Sequence, residues 1–513
     1  MFFRNFRTFV FRIKFVFRPP RLAETACRRE AGKHMKRTKI VATIGLSTST
    51  KEKLKKIIKA GMNVARINFS HGDYASNGKL INYIKELRKE MRIPIGIMVD
   101  LQGPRIRTVV GEEIKIEKGE FILISDLTEK NNLQCQNSEM KCFSLDWPGI
   151  LKNIKIKNEI LIEDGLIKLK VVGKEKNFLQ AQAINGGVIK NHKGVNIPDT
   201  NLQFGAVTKK DLEALKFALK CEADFIALSF VSNAKEIISI KNKIQKALGR
   251  KDHLPQIIAK IERKEAIKNI DEIIEASDGV MVARGDLGIE MNESKVVLYQ
   301  KEIIAKCLKS ATPVIVATQM LNSMIENPRP TRAEVGDVSN AVIDHADAVM
   351  LSGETANGKY PIQAVETMRE IISNTEKSPF DNLEHGFLGD KKHSVSATIA
   401  NSAHELLKDT RAKAIVVASV SGFTARMISR HRPESPIFIM TNNEKTHQQL
   451  SLVWGAQSFV LPDCRTMDEL IDKSVEILKK EKAVKAKDKL IIVAGRPHKV
   501  KEHMSLVKVE EVR

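Results

Sequence analysis

Two stretches of this 513-residue chain end apolar runs in charged side chains. In QIIAKIE (256–262), Lys260 and Glu262 stand two apart. In SDGVMVARGDLGIE (277–290), the run Val280-Met281-Val282-Ala283 stops at Arg284-Gly285-Asp286. Both runs are short, apolar and rich in β-branched residues, which predicts buried strands. Side chains alternate along a strand, so Lys260 and Glu262 share a face and Ile261 points the other way, toward outer helices. Gly285 predicts a tight turn whose backbone N–H groups can approach a carboxylate or phosphate. If the two strands are neighbours, Glu262 and Asp286 meet. Two carboxylates with room left for water and a substrate oxygen suit Mg2+ or Mn2+. Lys260, Arg66 and Arg284 add positive charge. Arg284 has two readings, a ligand contact or a brace for the turn. A metal, cations and bare amides around one point are the equipment of phosphoryl transfer, which depends on positioning and charge stabilisation. The chain has no Walker A sequence and no HRD or DFG set, so the chemistry belongs to another class of phosphotransferase.

The elements that must hold these residues follow a strand–helix rhythm. KIVATIG (39–45), NVARINF (63–69) and IGIMVD (95–100) read as strands with helical spacing between them. After a break the rhythm resumes with ADFIALSF (223–230), QIIAKIE, DGVMVAR (278–284), TPVIVATQ (312–319) and ADAVMLS (346–352). Three strands and five make eight, the count of a closed parallel (β/α)8 barrel. Such a barrel carries its chemistry at the carboxyl ends of its strands. Those ends hold Arg66, Asn68, Ser70 and His71, then Asp100, Lys260 with Glu262, Arg284-Gly285-Asp286, Thr318-Gln319 and Ser352-Gly353-Glu354. A lone charge at a strand end is ordinarily a surface residue; their convergence on one rim favours a site.

The interruption, residues 104–203, alternates by twos in EEIKIEKGEFILIS and NIKIKNEILIEDGLIKLKVV, which predicts antiparallel strands in a separate small β domain. Residues 35–103 and 204–380 form the expected barrel. Residues 385–513 form a C-terminal α/β domain with strands at 414–419, 436–441, 458–462 and 489–495. Residues 1–34, rich in Phe and Arg with Glu24 as the first acid, are set aside from the fold. They read either as a transit peptide or as a translated extension upstream of Met35. The second reading is favoured and implies a cytoplasmic protein; the first implies an organelle.

The net charge is +22. Lys and Arg are spread along helices, without the aromatic interleaving of a nucleic-acid surface, so no nucleic-acid partner is expected. A basic solvated surface also suits phosphorylated small substrates. No apolar run is long enough to span a bilayer, so no membrane partner is expected. The six cysteines lack metal-site or CxxC spacing, which predicts free thiols in a reducing compartment.

With these residues go TKIVATIG, GMNVARINFSHG, DLQGPRIRT, KGVNIP, ATQMLNSMIENPRPTRAEVGDV and AVMLSGETANGKYP. From about residue 37 to the C-terminus the chain resembles the pyruvate kinases. The resemblance implies a barrel interrupted by a mobile β-barrel lid, a C-terminal regulatory domain and a homotetramer. It implies the last step of glycolysis, in which phosphoenolpyruvate and ADP give pyruvate and ATP. Glu262 and Asp286 would hold Mg2+. Lys260 would stabilise the phosphoryl group in flight and the developing enolate. Arg66, the Gly285 and Asp286 amides and Thr318 would hold phosphoenolpyruvate. Arg66, His71, Arg107 and Lys193 would meet the nucleotide. Thr318 and Ser352 would lie on the proton path.

Three departures stand out. The potassium site of the family falls on Asn68, Ser70, Asp100 and the Leu101 carbonyl. Potassium-dependent members carry Glu after the Gly-Pro pair, where this chain has Arg105, so potassium is expected to be dispensable. The sugar-phosphate effector loop is half present: Ser419, Ser421, Gly422 and Thr424 resemble it, whereas the second, glycine-rich loop around 495–504 does not. Ser232 and Leu46 replace a common Arg and Pro, with no consequence to offer. Two competing readings are a silent relative acting as a binding protein and a metal-dependent aldolase on the same barrel. The intact Lys260, Glu262, Asp286, Arg66 and Thr318 disfavour the first. The β insertion and C-terminal domain disfavour the second.

Overall fold

The structure is a computed structural model that describes residues 36–69, 73–127, 140–163, 165–198, 200, 207–249, 253–383, 387–388, 394–495 and 504–513. Strands β1 (Lys39–Ile44), β2 (Val64–Asn68) and β3 (Gly96–Asp100) come first. An insertion follows with β4 (Ile106–Val109), β5 (Ile114–Ile116), β6 (Phe121–Asp126), β7 (Cys142–Leu145), β8 (Glu159–Ile162), β9 (Ile167–Lys174), β10 (Leu179–Asn185), β11 (Gly187–Ile189) and β12 (Gly194–Asn196). The first series then resumes with β13 (Phe225–Leu228), β14 (Gln256–Ile261), β15 (Gly279–Ala283), β16 (Val314–Ala317) and β17 (Ala348–Leu351). β1, β2, β3 and β13 to β17 close in that order into a barrel, and every neighbouring pair is parallel.

Period-two alternation divides each barrel strand between two apolar layers. Val41, Val64, Met98, Phe225, Ile258, Met281, Ile315 and Met350 fill the inside. Ile40, Ala65, Ile97, Ile257, Ile261 and Val282 face outward and pack with helix residues such as Leu54, Ile57 and Ile303. Ile261 therefore points as its spacing predicts. The helices form for local reasons. Lys51–Ala60 starts where the Thr50 side chain accepts the Lys53 amide, buries Leu54, Ile57 and Ile58 on one face, and stops at Gly61, whose φ is +133°.

In the insertion β4, β6, β7, β8, β9, β10 and β12 close into a second barrel, and β5 pairs with β11. Its core is aliphatic, built from Ile122, Ile124, Ile160, Leu169 and Leu179 among others. One feature departs from the antiparallel expectation: β6 and β7 run parallel. Residues 127–141 are long enough for the crossover a parallel pair needs, and alternation by twos is the same in either direction. A second departure is at Cys142, which is disulfide-bonded rather than a free thiol; its partner lies outside the described residues. Cα separation in the fold, not sequence spacing, decides which thiols can pair. Cys221, Cys307 and Cys464 are free.

The C-terminal sheet runs β20 (Ala456–Val460), β19 (Ile437–Thr441), β18 (Ala414–Ala418), β21 (Lys489–Ala494), β22 (Leu506–Glu511). β22 lies antiparallel on the edge and is absent from the sequence-based strand set. It is largely exposed, so it lacks the apolar run that marks a buried strand.

This domain closes the amino-terminal end of the barrel. Leu452 enters the barrel's own inner cluster, beside Val64, Met98 and Phe225. Gly96 makes room: a Cβ there would lie 2.6 Å from Ser451 Oγ and 2.7 Å from Phe225 Cε2. Asp224, just before β13, pairs with Lys445 at 2.9 Å, and Asp347, just before β17, pairs with Arg432 at 3.1 Å. One end of the barrel is thus committed to packing, which leaves the carboxyl rim for ligands. Among the described residues no helix is long and apolar enough to cross a membrane.

Candidate active site

The rim repeats the inner layer two residues later. Val41, Val64, Met98, Ala227 and Ile258 point inward. Alternation therefore turns Thr43, Arg66, Asp100, Ser229 and Lys260 inward one layer higher. Hydrogen bonds join all five. Arg66 donates from Nε to Asp100 Oδ2 at 2.7 Å and from Nη1 to Thr43 Oγ1 at 2.9 Å. Lys260 Nζ donates to Ser229 Oγ at 2.8 Å, lies 3.3 Å from Asp100 Oδ1 and pairs with Glu262 Oε1 at 2.8 Å. The Phe230 amide donates to the other Glu262 oxygen at 2.7 Å. Phe230 can aim its amide there because its backbone is left-handed, φ +56°.

The charges decide one another's protonation. Burial works against the Lys260 ammonium, but the carboxylates of Asp100, Glu262 and Asp286 outweigh it and hold the amine above its ordinary value. Burial likewise works against the Asp100 carboxylate, and Lys260 and Arg66 overcome it, holding the carboxyl below its usual range. Glu262 goes the other way. Burial raises it, Lys260 opposes, and the nearby Asp286 carboxylate raises it further. The Glu262–Asp286 corner is therefore short of positive charge. Among the described residues no cluster of three or more His, Cys, Asp or Glu could hold a metal. Two carboxylates fit Mg2+, which dehydrates reluctantly and takes its other ligands from water and substrate phosphate.

Arg284-Gly285-Asp286 does not form the tight turn that Gly285 predicts. β15 runs directly into a short helix, Arg284–Glu290, and Gly285 has no positive φ. Asp286 in the first turn favours a helix start, since an acid there complements the dipole. The Gly285 amide donates to Thr318 Oγ1 at 2.8 Å, and that hydroxyl donates to the Ala317 carbonyl at 2.6 Å. Thr318 and Gln319 are both left-handed, with φ of +68° and +54°. Each such residue that is not glycine costs about 1–3 kcal/mol, so the surroundings must hold it. Arg284 does so, and is only 7% exposed. Its Nη2 donates to the Thr318 carbonyl at 2.7 Å and the Gln319 carbonyl at 3.3 Å. Its Nη1 is 2.7 Å from Asp337 Oδ1 and 3.4 Å from Gln300 Oε1. Of its two sequence readings, the brace is the one the geometry takes.

The other expected residues divide. Arg107 and Lys193 come together in the insertion, where Gly194 on β12 is paired with Arg107 on β4. Arg107 donates to the His192 carbonyl at 3.0 Å, and Lys193 pairs with Glu163. Asn68 stands beside Asp100 across β2 and β3. The Leu101 carbonyl accepts the Ser229 hydroxyl at 2.8 Å. The Ser352 amide donates to the buried Glu354 carboxylate at 2.7 Å. Ser70 and His71 lie outside the described residues, as does residues 496–503 of the second effector loop. Arg105 packs against Gly194: a Cβ there would lie 2.9 Å from its guanidinium nitrogens. Ser419, Ser421, Gly422 and Thr424 form the loop after β18; Gly422 is left-handed at φ +80°, and Ser419 and Thr424 are buried. Sequence reasoning missed Ser229, Thr43 and Phe230. The period-two rule could have found the first two, because Ser229 follows the inward Ala227 by two and Thr43 follows Val41 by two. Nothing in the sequence marks the left-handed Phe230.

Comparisons with known proteins bear on this site. A family model for the pyruvate kinase barrel domain matches residues 35–365, and one for the pyruvate kinase alpha/beta domain matches residues 397–510. A pyruvate kinase of Geobacillus stearothermophilus is 41% identical over 490 residues, 93% of this chain and 80% of that protein. One from Clostridium acetobutylicum is 38% identical over 481 residues, 93% of this chain and 100% of that protein. The crystal structure of a pyruvate kinase from Cryptosporidium parvum matches with a TM-score of 0.84 at 35% identity, covering 93% of this chain and 96% of that one. Barrel, insertion, C-terminal sheet and rim thus coincide with long, near-complete matches of one kind, and the chain belongs to the pyruvate kinase family.

Proposed function

We infer that this chain transfers the phosphoryl group of phosphoenolpyruvate to ADP, giving pyruvate and ATP, and that the rim residues described above carry the reaction. The observation that supports the residue roles best is the Lys260 ammonium, lodged between Asp100 and Glu262 and one strand-layer from Arg66. Lys260 sits to neutralise the phosphoryl group in flight and then the enolate oxygen left behind. Arg66 is steered by Asp100 and Thr43 to meet phosphate from the neighbouring strand. The Gly285 and Asp286 amides, at a helix start, suit the substrate carboxylate. Glu262 and Asp286 would hold Mg2+, which supplies charge neutralisation between the transferring phosphate and its acceptor. Arg107 and Lys193, with His71, are placed to meet the nucleotide from the insertion. Thr318 and Ser352 would pass the proton to the methylene carbon. Chemistry on the substrate drives the reaction, because the enol freed of phosphate becomes a ketone. The protein holds the in-line geometry and excludes water.

Members of this family generally depend on Mg2+ and K+. Here the Arg105 guanidinium supplies a fixed positive charge where the potassium-dependent pattern has Glu, and we propose that K+ is dispensable. Pyruvate formation from phosphoenolpyruvate, with ADP and Mg2+ in potassium-free buffer, tests both statements. Turnover is expected to persist within about twofold of the rate with K+. Loss only without K+ removes the Arg105 reading; no turnover in either buffer removes the enzymatic one.

The loop after β18 is proposed to receive the phosphate of a sugar-phosphate activator, with Ser419, Ser421, Gly422 and Thr424 as hydroxyl and amide donors. At low phosphoenolpyruvate, fructose bisphosphate or a sugar monophosphate is expected to raise the rate severalfold. Absence of response to all of them would remove the effector from this loop.

A further inference from the structure

We propose that Arg284 is a positioning residue for the proton-transfer half of the reaction: by holding the left-handed Thr318–Gln319 turn it aims the Thr318 hydroxyl at the substrate. The inference rests on the reading of Thr318 as a substrate-facing residue given above.

Arg284 and Gly285 reach the same residue from adjacent positions. The Arg284 guanidinium takes the Thr318 carbonyl, and the Gly285 amide takes the Thr318 hydroxyl. The guanidinium is held from behind by Asp337 on helix Arg332–Ile343 and by Gln300 on helix Glu293–Ser310. Its fork is therefore fixed by two outer helices while its other arm holds two consecutive carbonyls of a turn. A planar fork suits this task and an ammonium does not, because the donors must point both ways in one plane. None of these acceptors is a ligand group, so Arg284 acts on the reaction only through Thr318.

The consequence is a hand-over with a fixed pivot. In the structure Thr318 Oγ1 accepts the Gly285 amide and donates to the Ala317 carbonyl. A substrate carboxylate arriving at the Gly285 amide takes that hydrogen bond and frees the hydroxyl to turn about χ1. With the backbone held by Arg284, the hydroxyl swings to one defined place. Once the phosphoryl group has left, the enolate π pair forms a C–H bond to the hydroxyl hydrogen. The O–H bonding pair returns to the Thr318 oxygen, which regains a proton from solvent by way of Ser352. The methylene becomes the methyl group of pyruvate, and the hydroxyl is restored.

Two rates separate this role from a general one: ADP phosphorylation by phosphoenolpyruvate, and exchange of pyruvate methyl hydrogens with D2O in the presence of ATP and Mg2+, followed by NMR. In Arg284→Met, exchange is expected to fall roughly 100-fold, the loss that follows about 1 Å of misplacement, and phosphorylation less than about tenfold. The phosphoenolpyruvate KM should stay within about twofold of the parent. Adding Asp337→Asn should cost little more, since the two residues share one network. In Arg284→Ala, methylguanidinium added to the assay should restore part of the exchange. Should the Met and Ala variants not fold, Arg284→Lys carries the same comparison, because its ammonium keeps the charge without spanning both carbonyls and Asp337. Parallel losses of the two rates, or no loss of exchange, would overturn the positioning role alone. Retained turnover in Lys260→Met would overturn the underlying active-site reading instead.

Discussion

Lys260→Met is expected to lower kcat by at least roughly 1,000-fold, the upper range for removing one preorganised charge from a buried site. The size follows from where the ammonium sits. Lys260 is 9% exposed and its Nζ has three partners: Ser229 Oγ, Asp100 Oδ1 and Glu262 Oε1. Arg66 cannot take over, since its Nε and Nη1 are bound to Asp100 and Thr43. Methionine keeps the length and apolar stem of lysine but brings no charge, so phosphoenolpyruvate would still fit while its transferring phosphate and nascent enolate lost their nearest cation. The loss should appear mainly in kcat, because the charge it answers grows between ground and transition state. The fold should survive. Asp100 retains Arg66 and Glu262 retains the Phe230 amide, although the melting temperature should drop because two buried carboxylates lose a partner. Steady-state kinetics beside a thermal melt decide. A folded variant that still turns over at near the parental rate would refute the role given to Lys260.

The same residues show where reading a sequence succeeds and stops. Strand ends were legible because an apolar run must end where the barrel does. Lys260 and Glu262 were legible as a pair because the strand period is two. Ser229 was not singled out, being a small hydroxyl inside an otherwise apolar run; only the register of β13 against β3 and β14 gives it a purpose. The Arg284 partners are farther still from legibility. Asp337 and Gln300 lie on helices that follow different strands, and nothing local announces that they meet one guanidinium. The Gly285 turn was misread for a related reason. Glycine signals freedom, and here that freedom serves a helix start at a strand end instead of a left-handed turn. Where a backbone conformation is imposed by distant side chains, as at Thr318 and Gln319, the sequence holds no trace of it.

Asp286→Asn is expected to separate metal binding from stability. Asp286 is half-buried, and among the described residues its carboxylate has no hydrogen-bond or ion-pair partner, whereas Glu262 is held by both Lys260 and the Phe230 amide. The Asp286 carboxylate also adds to the burial that raises Glu262. In the protein without metal, then, Asp286 stabilises nothing that the structure shows and repels its neighbour. Removing its charge should leave the melting temperature unchanged or slightly higher when Mg2+ is withheld with a chelator. With Mg2+ the order should reverse. A ligand that binds only the folded state raises stability with its concentration, and that rise should be present in the parent and largely absent from Asp286→Asn. The Mg2+ concentration for half-maximal activity should climb by at least roughly 100-fold, above the range seen for second-shell changes, because one of two protein carboxylates is gone. Glu262→Gln should also lose the Mg2+-dependent rise, yet it should destabilise the metal-free protein, because Lys260 then loses a charged partner in the barrel's buried rim. The contrast between the two variants carries the argument: both carboxylates serve the metal, and only Glu262 also serves the fold. An Asp286→Asn protein that kept the parental Mg2+ shift in melting temperature would remove Asp286 from the metal site.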